Sequence, residues 1–253
     1  SKNIKRIDTA SAYGDSEKVL GRIGVKNFKI TSKIPTIPLN TNNVDDFLIR
    51  NIESSLNDLK IEKFDCILVH DCNQFFQKKY HDEIIKSLLY IKELNLTSKL
   101  GLSVYDPLDN SIMKVIDKID VLQSSFNIFD QRLIQKQLVD TLQKSSIEIQ
   151  ARSVFLQGLL LMEAEKIPKK FLKWKRVFDS YFSWLKQNNY NALSACLNFA
   201  LNSKNINQVI LGIDTPEQFT QITESLSNDI ISVPKNLECN DPMLINPSQW
   251  DKI

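Results

Sequence analysis

Neither GxGxxG nor GxxxxGK can be assembled from the six glycines of this chain, at positions 14, 21, 24, 101, 158 and 212. A doubly wound dinucleotide site needs the first pattern after its opening strand, and a P-loop needs the second. Both sites are excluded. The four cysteines, Cys66, Cys72, Cys196 and Cys239, include no CxxC pair. Their spacing argues against a zinc ribbon or a disulfide framework, and for reduced thiols in the cytoplasm. No apolar run reaches the roughly 18 residues that cross a bilayer, and Ser1-Lys2-Asn3-Ile4-Lys5-Arg6 leads into no signal-peptide core. No charge of one sign dominates either. The 32 basic and 30 acidic residues are interspersed and leave a net +2, which is no footprint for DNA or RNA. The most basic stretch, Lys166 to Arg176, carries no repeated stacking platform and reads as a solvated helix face.

What is present is a regular alternation. Strand-like segments recur at Ile4 to Asp8, Phe28 to Lys33, Phe64 to His70, Leu100 to Tyr105, Val121 to Phe126, Ile147 to Ser153 and Gln208 to Gly212, with helical patterns between them. Val44, Phe47, Leu48, Ile52, Leu56 and Leu59 trace one amphipathic face. Asp106-Pro107 and Thr215-Pro216-Glu217-Gln218 read as helix starts, each with proline at the first helical position. Strict alternation implies a parallel sheet. Seven such units in 253 residues suggest an α/β fold of the (β/α)8 TIM-barrel type, as one domain over residues 1–253, with its first β/α unit expected before Ser1 and an open or altered barrel as the alternative.

The strand ends carry the chemistry-bearing residues, as expected for a barrel. Asp8 ends the first segment and Tyr13 follows five residues later; Lys33 ends the second; His70 ends the third. A tyrosine is a poor acid near neutral pH, with an unperturbed pKa of about 10. An ammonium beside it would stabilise the phenolate, and Lys33 paired with Asp8 could supply that charge. Tyr13 would then donate a proton to a carbonyl oxygen, with His70 orienting the acceptor. Cys66, His70 and Cys72 share parity, but three residues with no fourth ligand nearby point to no metal. Trp174, Phe182 and Trp184 read as core, with a substrate mouth as the alternative.

The chain closely resembles the aldo-keto reductase family. The resemblance rests on DTAxxYGxSExxLG from Asp8 to Gly21 and on the strand ends Lys33-Ile34-Pro35 and Leu68-Val69-His70-Asp71. Further matches are Gly101-Leu102-Ser103-Val104-Tyr105, Gln123 with Asn127, Ala151 to Gly158, and Gly212 to Gln218. The Ser-Val-Tyr and Ala-Arg-Ser-Val-Phe-Leu-Gln-Gly forms look like a bacterial branch. The resemblance implies a catalytic tetrad of Asp8, Tyr13, Lys33 and His70. It also implies a nicotinamide cofactor, NADP or NAD, with Ser103 and Gln123 on the carboxamide. Arg152, with Ser153 beside it, would stack on the nicotinamide, and Gly212, Asp214 and Gln218 would meet the phosphate end.

Three departures accompany the resemblance. The family's first strand and helix are not in this chain, Val104 replaces a frequent asparagine, and no lysine or arginine stands between Gly212 and Ile222. Asp214 would repel a 2′-phosphate if it faces one, which leans towards NAD, while some family members use serine and glutamine for NADP, so both NAD and NADP stay open. The expected function is NAD(P)H-dependent reduction of an aldehyde or ketone, sugar-derived carbonyls included. The alternative is a nicotinamide-binding protein that keeps the fold with little or no turnover. The expected partner is a small-molecule carbonyl substrate, with no nucleic acid and no membrane; oligomeric state leaves no mark on the sequence.

Overall fold

The computed structural model describes residues 4–253. In chain order these form β1 (Arg6–Asp8), α1 (Ser16–Ile23), β2 (Lys29–Ile34), α2 (Val44–Leu59), β3 (Phe64–Val69), the single turn α3 (Cys72–Phe75), α4 (Lys78–Glu93), β4 (Thr97–Val104) and β5 (Val121–Ser125). There follow α5 (Lys136–Lys144), β6 (Glu148–Arg152), α6 (Lys175–Gln187), α7 (Ala192–Leu201), β7 (Gln208–Val209), α8 (Pro216–Glu224) and the single turn α9 (Pro242–Ile245). Strand order follows sequence order from β1 to β7. The pairs β1–β2, β2–β3, β3–β4 and β6–β7 are parallel. This is the strand order expected of barrel β/α units.

The chain divides into two compact units. One comprises Ser1–Val104, Asp109–Gln123 and Ser145–Glu148; the other comprises Tyr105–Leu108, Ser124–Lys144 and Ile149–Ile253. The first unit holds β1 to β4, and β3 shows why these strands form. Phe64, Cys66, Ile67, Leu68 and Val69 are all buried, as parallel strands covered on both faces require. The α2 face lies as its spacing predicts, with Leu48, Ile52, Leu56 and Leu59 inside and Phe47 half-buried. Full burial of each such side chain stabilises by roughly 1.5–3 kcal/mol. The Asn43 side chain caps this helix by accepting from the Asp46 N–H at 3.1 Å. Two glycines permit close approach: a Cβ at Gly21 would lie 1.9 Å from the Asp58 carbonyl oxygen, and one at Gly101 would lie 2.4 Å from that of Val121. Near the strand starts, Arg6 and Lys29 pair with Asp65, Lys99 with Glu148, and Lys92 with Asp120.

The second unit is built around aromatic rings. Phe129 meets Phe178 and Tyr181 edge-on, each at 5.5 Å between centroids. Trp174 and Trp184 are buried, which is the core reading of these residues, while Phe182 is half-buried against Tyr181. Tyr181 is fully buried and donates to the Leu160 carbonyl at 2.8 Å. Burial pushes the neighbouring Cys196 thiol up to about 12. All four cysteines are free thiols. The basic side chains from Lys166 to Arg176 are exposed. Among the described residues, no helix is long and apolar enough to cross a membrane.

One expected element is absent. No α-helix starts at Asp106-Pro107; the chain turns there and makes two short 3-10 helices, Ile112–Lys114 and Ile116–Lys118. Asp106 Oδ1 accepts from the Leu108 N–H at 3.1 Å and Asp109 Oδ1 from the Ser111 N–H at 2.8 Å. Such local bonds compete with the helical ladder and close turns instead. The other expected start holds: Thr215 caps α8 with Pro216 in its first turn. His81, on α4, packs half-buried against Phe75 rather than facing solvent, with ring centroids 5.0 Å apart.

Candidate active site

The first unit gathers six of the expected residues. β1 ends at Asp8, and parallel pairing with β2 brings Lys33 alongside; Lys33 stands opposite Leu68 on β3, and His70 follows directly after that strand ends at Val69. The Lys33 side chain is 2% exposed and that of Asp8 14%. An ammonium this deep needs partners, since an uncompensated buried charge costs several kcal/mol. Lys33 Nζ donates to Asp8 Oδ1 and, at 2.8 Å, to the Thr9 carbonyl. The second carboxylate oxygen of Asp8 accepts from Gln123 Nε2 at 2.9 Å. Gln123 Oε1 in turn accepts from Ser103 Oγ at 3.1 Å. One connected network therefore runs from Ser103 through Gln123 and Asp8 to Lys33.

Tyr13 stands over this network. A turn with Tyr13 N–H donating to the Ala10 carbonyl at 3.0 Å carries it out of β1, and Gly14 follows in the left-handed region with φ 56°. The Tyr13 ring lies 5.0 Å from Lys33 Nζ and meets the His70 ring edge-on at 5.8 Å. Tyr13 is 47% exposed, whereas the Lys33 charge behind it is inaccessible. A phenol open to solvent, a captive cation and an imidazole thus converge. This arrangement can deliver a proton to an acceptor oxygen and steady the phenolate left behind.

The loops around the quartet are held by Gln74. Its side chain accepts from the Ile37 N–H at 2.7 Å and donates to the Ile37 carbonyl at 2.6 Å, tying the segment after β2 to α3. Asp71, next to His70, caps α3 by accepting from the Gln74 N–H at 3.1 Å, and also accepts from Thr36 at 3.2 Å. Sequence reading missed Gln74, because a buried glutamine paired with remote backbone leaves no periodic signal. The sulfur of Cys72 donates to the Ser103 carbonyl at 3.4 Å, while Cys66 is fully buried. Among the described residues, no group of three His, Cys, Asp or Glu side chains could hold a metal ion.

The second unit holds the remaining candidates in two places. Arg152 ends β6, and its Nη1 donates to Ser125 Oγ and Ser153 Oγ, each at 3.2 Å. Its guanidinium carbon lies 4.6 Å from the centre of the Tyr105 ring. Gly212, Asp214 and Gln218 lie exposed at the start of α8. A helix start offers N–H groups to anions, but here one of them, and the N–H just ahead of the cap, are taken by side chains. Thr215 accepts from the Gln218 N–H at 3.2 Å, and Gln218 Oε1 accepts from the Asp214 N–H at 2.8 Å. Pro216 has no N–H to offer.

The residues present suit a nicotinamide cofactor by their donor chemistry. In the first unit a hydroxyl and an amide, Ser103 and Gln123, match the donor and acceptor of a carboxamide; in the second unit, taken by itself, the flat Arg152 guanidinium matches a flat ring. The Val104 side chain is buried and brings no such group.

The Aldo/keto reductase family model matches residues 1–232. No curated protein matches the sequence. Among solved structures, the holo form of an aldo-keto reductase from Bacillus halodurans aligns at 15% identity and a TM-score of 0.72, covering 91% of this chain and 80% of that one. An aldo-keto reductase from Klebsiella pneumoniae in complex with NADPH aligns at 16% identity and a TM-score of 0.65, covering 91% of this chain and 77% of its own. At these identities the likeness bears on the fold, that of an aldo-keto reductase (β/α)8 barrel, of which the described residues form seven strands.

Proposed function

Because the chain belongs to the aldo/keto reductase family, we propose that it reduces an aldehyde or ketone with NAD(P)H, Tyr13 serving as general acid. The observation that carries this reading is the captive Lys33, paired with Asp8 and lying 5.0 Å from the centre of the Tyr13 ring. When bound, the nicotinamide cofactor supplies the hydride that adds to the carbonyl carbon. Tyr13 Oη gives its proton to the carbonyl oxygen, completing the alcohol. Lys33 faces the phenolate that forms, and Asp8 holds that lysine in place. His70, edge-on to Tyr13, orients the carbonyl oxygen towards the phenol. Ser103 and Gln123 hold the carboxamide, Arg152 and Ser153 the nicotinamide side, and Gly212, Asp214 and Gln218 the phosphate end. Because the Asp214 carboxylate disfavours a 2′-phosphate beside it, NADH is the cofactor to compare with NADPH. The two units are read as one barrel domain of a cytoplasmic enzyme.

A second reading, a cofactor-binding protein without turnover, has one observation in its favour: Thr215 and Gln218 satisfy part of the α8 start internally. Incubation with an electron-poor aldehyde such as nitrobenzaldehyde separates the two. Reduction predicts loss of nicotinamide absorbance matched mole for mole by the nitrobenzyl alcohol. Saturable cofactor binding with no alcohol formed from any aldehyde or ketone in a broad panel contradicts it and leaves the second reading.

A further inference from the structure

Where β4 ends, the chain makes no helix, and something else must hold Tyr105. Arg132 does so. Its Nη2 donates to the Tyr105 carbonyl at 2.9 Å and its Nη1 to Asp106 Oδ1 at 3.1 Å. Arg132 is itself locked by Asp130, with Nε on Oδ1 at 2.8 Å and Nη2 on Oδ2 at 2.9 Å. Asp130 is wholly buried, and its backbone N–H donates to Asn127 Oδ1 at 3.0 Å. Burial pushes the Asp130 carboxyl up while the Arg132 guanidinium works against that rise. A two-pronged charge-assisted pair is the stiffest polar contact available to side chains. The Tyr105 backbone is therefore fixed from behind, while the residue as a whole stays 42% exposed.

That ring faces Arg152 at 4.6 Å, and two hydroxyls engage the edge of the same guanidinium. Ser153, one of the two, sits in the left-handed region with φ 58°, and its carbonyl accepts from Asn127 Nδ2 at 3.1 Å. Asn127 thus braces both the Asp130 and the Ser153 segments. A free arginine side chain samples many rotamers, and ordering it on binding weakens affinity. Here the guanidinium is held in advance, its carbon over the Tyr105 ring and its Nη1 on two hydroxyls.

We propose that Tyr105 is a positioning residue for cofactor binding: its ring, held by the Asp130–Arg132 pair, fixes the plane in which the Arg152 guanidinium meets the nicotinamide. The inference rests on the reading of Arg152 as cofactor-facing, and deepens it. A flat ligand that stacks on this guanidinium meets a surface that is already oriented. It is the ring of Tyr105, rather than its hydroxyl, that sets this plane.

The test is a fluorescence titration of the whole protein with NADPH and NADH. It compares wild type with Tyr105→Leu, Tyr105→Phe, Arg152→Ala, Arg152→Lys and the Tyr105→Leu/Arg152→Ala pair, after circular dichroism has established that each is folded. Tyr105→Leu should raise Kd by roughly 3- to 10-fold, from the lost cation–π contact and the ordering now required. Tyr105→Phe keeps the ring and should stay within about twofold of wild type. Arg152→Lys keeps the charge but loses the plane, so its Kd should rise as well; it serves in place of Tyr105→Leu should that variant not fold. In the Arg152→Ala background, Tyr105→Leu should add nothing, because coupled residues do not sum. An unchanged Kd for Tyr105→Leu, fully additive effects in the pair, or Arg152→Lys binding like wild type overturns the positioning role. An unchanged Kd for Arg152→Ala is a different failure, and removes Arg152 from the cofactor site altogether.

Discussion

Lys33 is the residue on which the site turns. Its side chain is almost inaccessible, and Asp8, Gln123 and Ser103 form a chain of bonds that makes a buried charge tolerable. The Lys33→Met variant should lose turnover by orders of magnitude. It should also lose about 3–5 kcal/mol of stability in urea unfolding, the cost of leaving a buried carboxylate unpaired. A variant as stable as wild type would show that Asp8 does not depend on Lys33. The pairing of Asp8 with Lys33 was legible in the sequence, because a lysine that ends an apolar strand needs a counter-charge and the neighbouring strand ends in aspartate. The bond from Gln123 to Asp8 was not, since 115 residues separate the two and the contact exists only once the strands are aligned. Gln74 and the Asp130–Arg132 pair were invisible for a related reason. Polar side chains that lock loops follow no period.

At the scale of elements, periodicity found the strands and helices where burial is one-sided or continuous, as in α2 and β3. It failed after Asp106, where an acidic residue before proline resembles a helix start but closes a turn, with its carboxylate shared between Leu108 and Arg132. β7 shrinks to Gln208–Val209, shorter than its apolar run implied. Helix packing in the first unit depends on Gly21, where any side chain would strike the Asp58 carbonyl. Gly21→Ala should therefore push α1 and α2 apart and cost roughly 1–3 kcal/mol, a value typical of overpacking. Equal unfolding midpoints for wild type and variant would show that the helices shift without penalty.

For the whole molecule, the same variant tests the reading of one domain. Gly21 lies in the first unit, whereas all three tryptophans, Trp174, Trp184 and Trp250, lie in the second. If the units unfold together, Gly21→Ala shifts the tryptophan fluorescence transition as much as the circular dichroism transition. A fluorescence transition that stays in place while the other moves would mean two separately folding bodies. The fold itself was largely legible, because the seven strands among the described residues, paired in sequence order, leave few alternatives to a barrel-type sheet.

The most direct measurement compares wild type with Tyr13→Phe in two readouts, NADPH affinity and the rate of aldehyde reduction at saturating cofactor. On the proposed role the phenol hydroxyl would donate the proton and take no part in holding the cofactor, so Kd should stay within about twofold while turnover falls by roughly 10²–10⁴, the usual contribution of a general acid. A Tyr13→Phe enzyme that still reduces the aldehyde at the wild-type rate would contradict the assignment of Tyr13 as the acid, and with it the role given to Lys33 and Asp8.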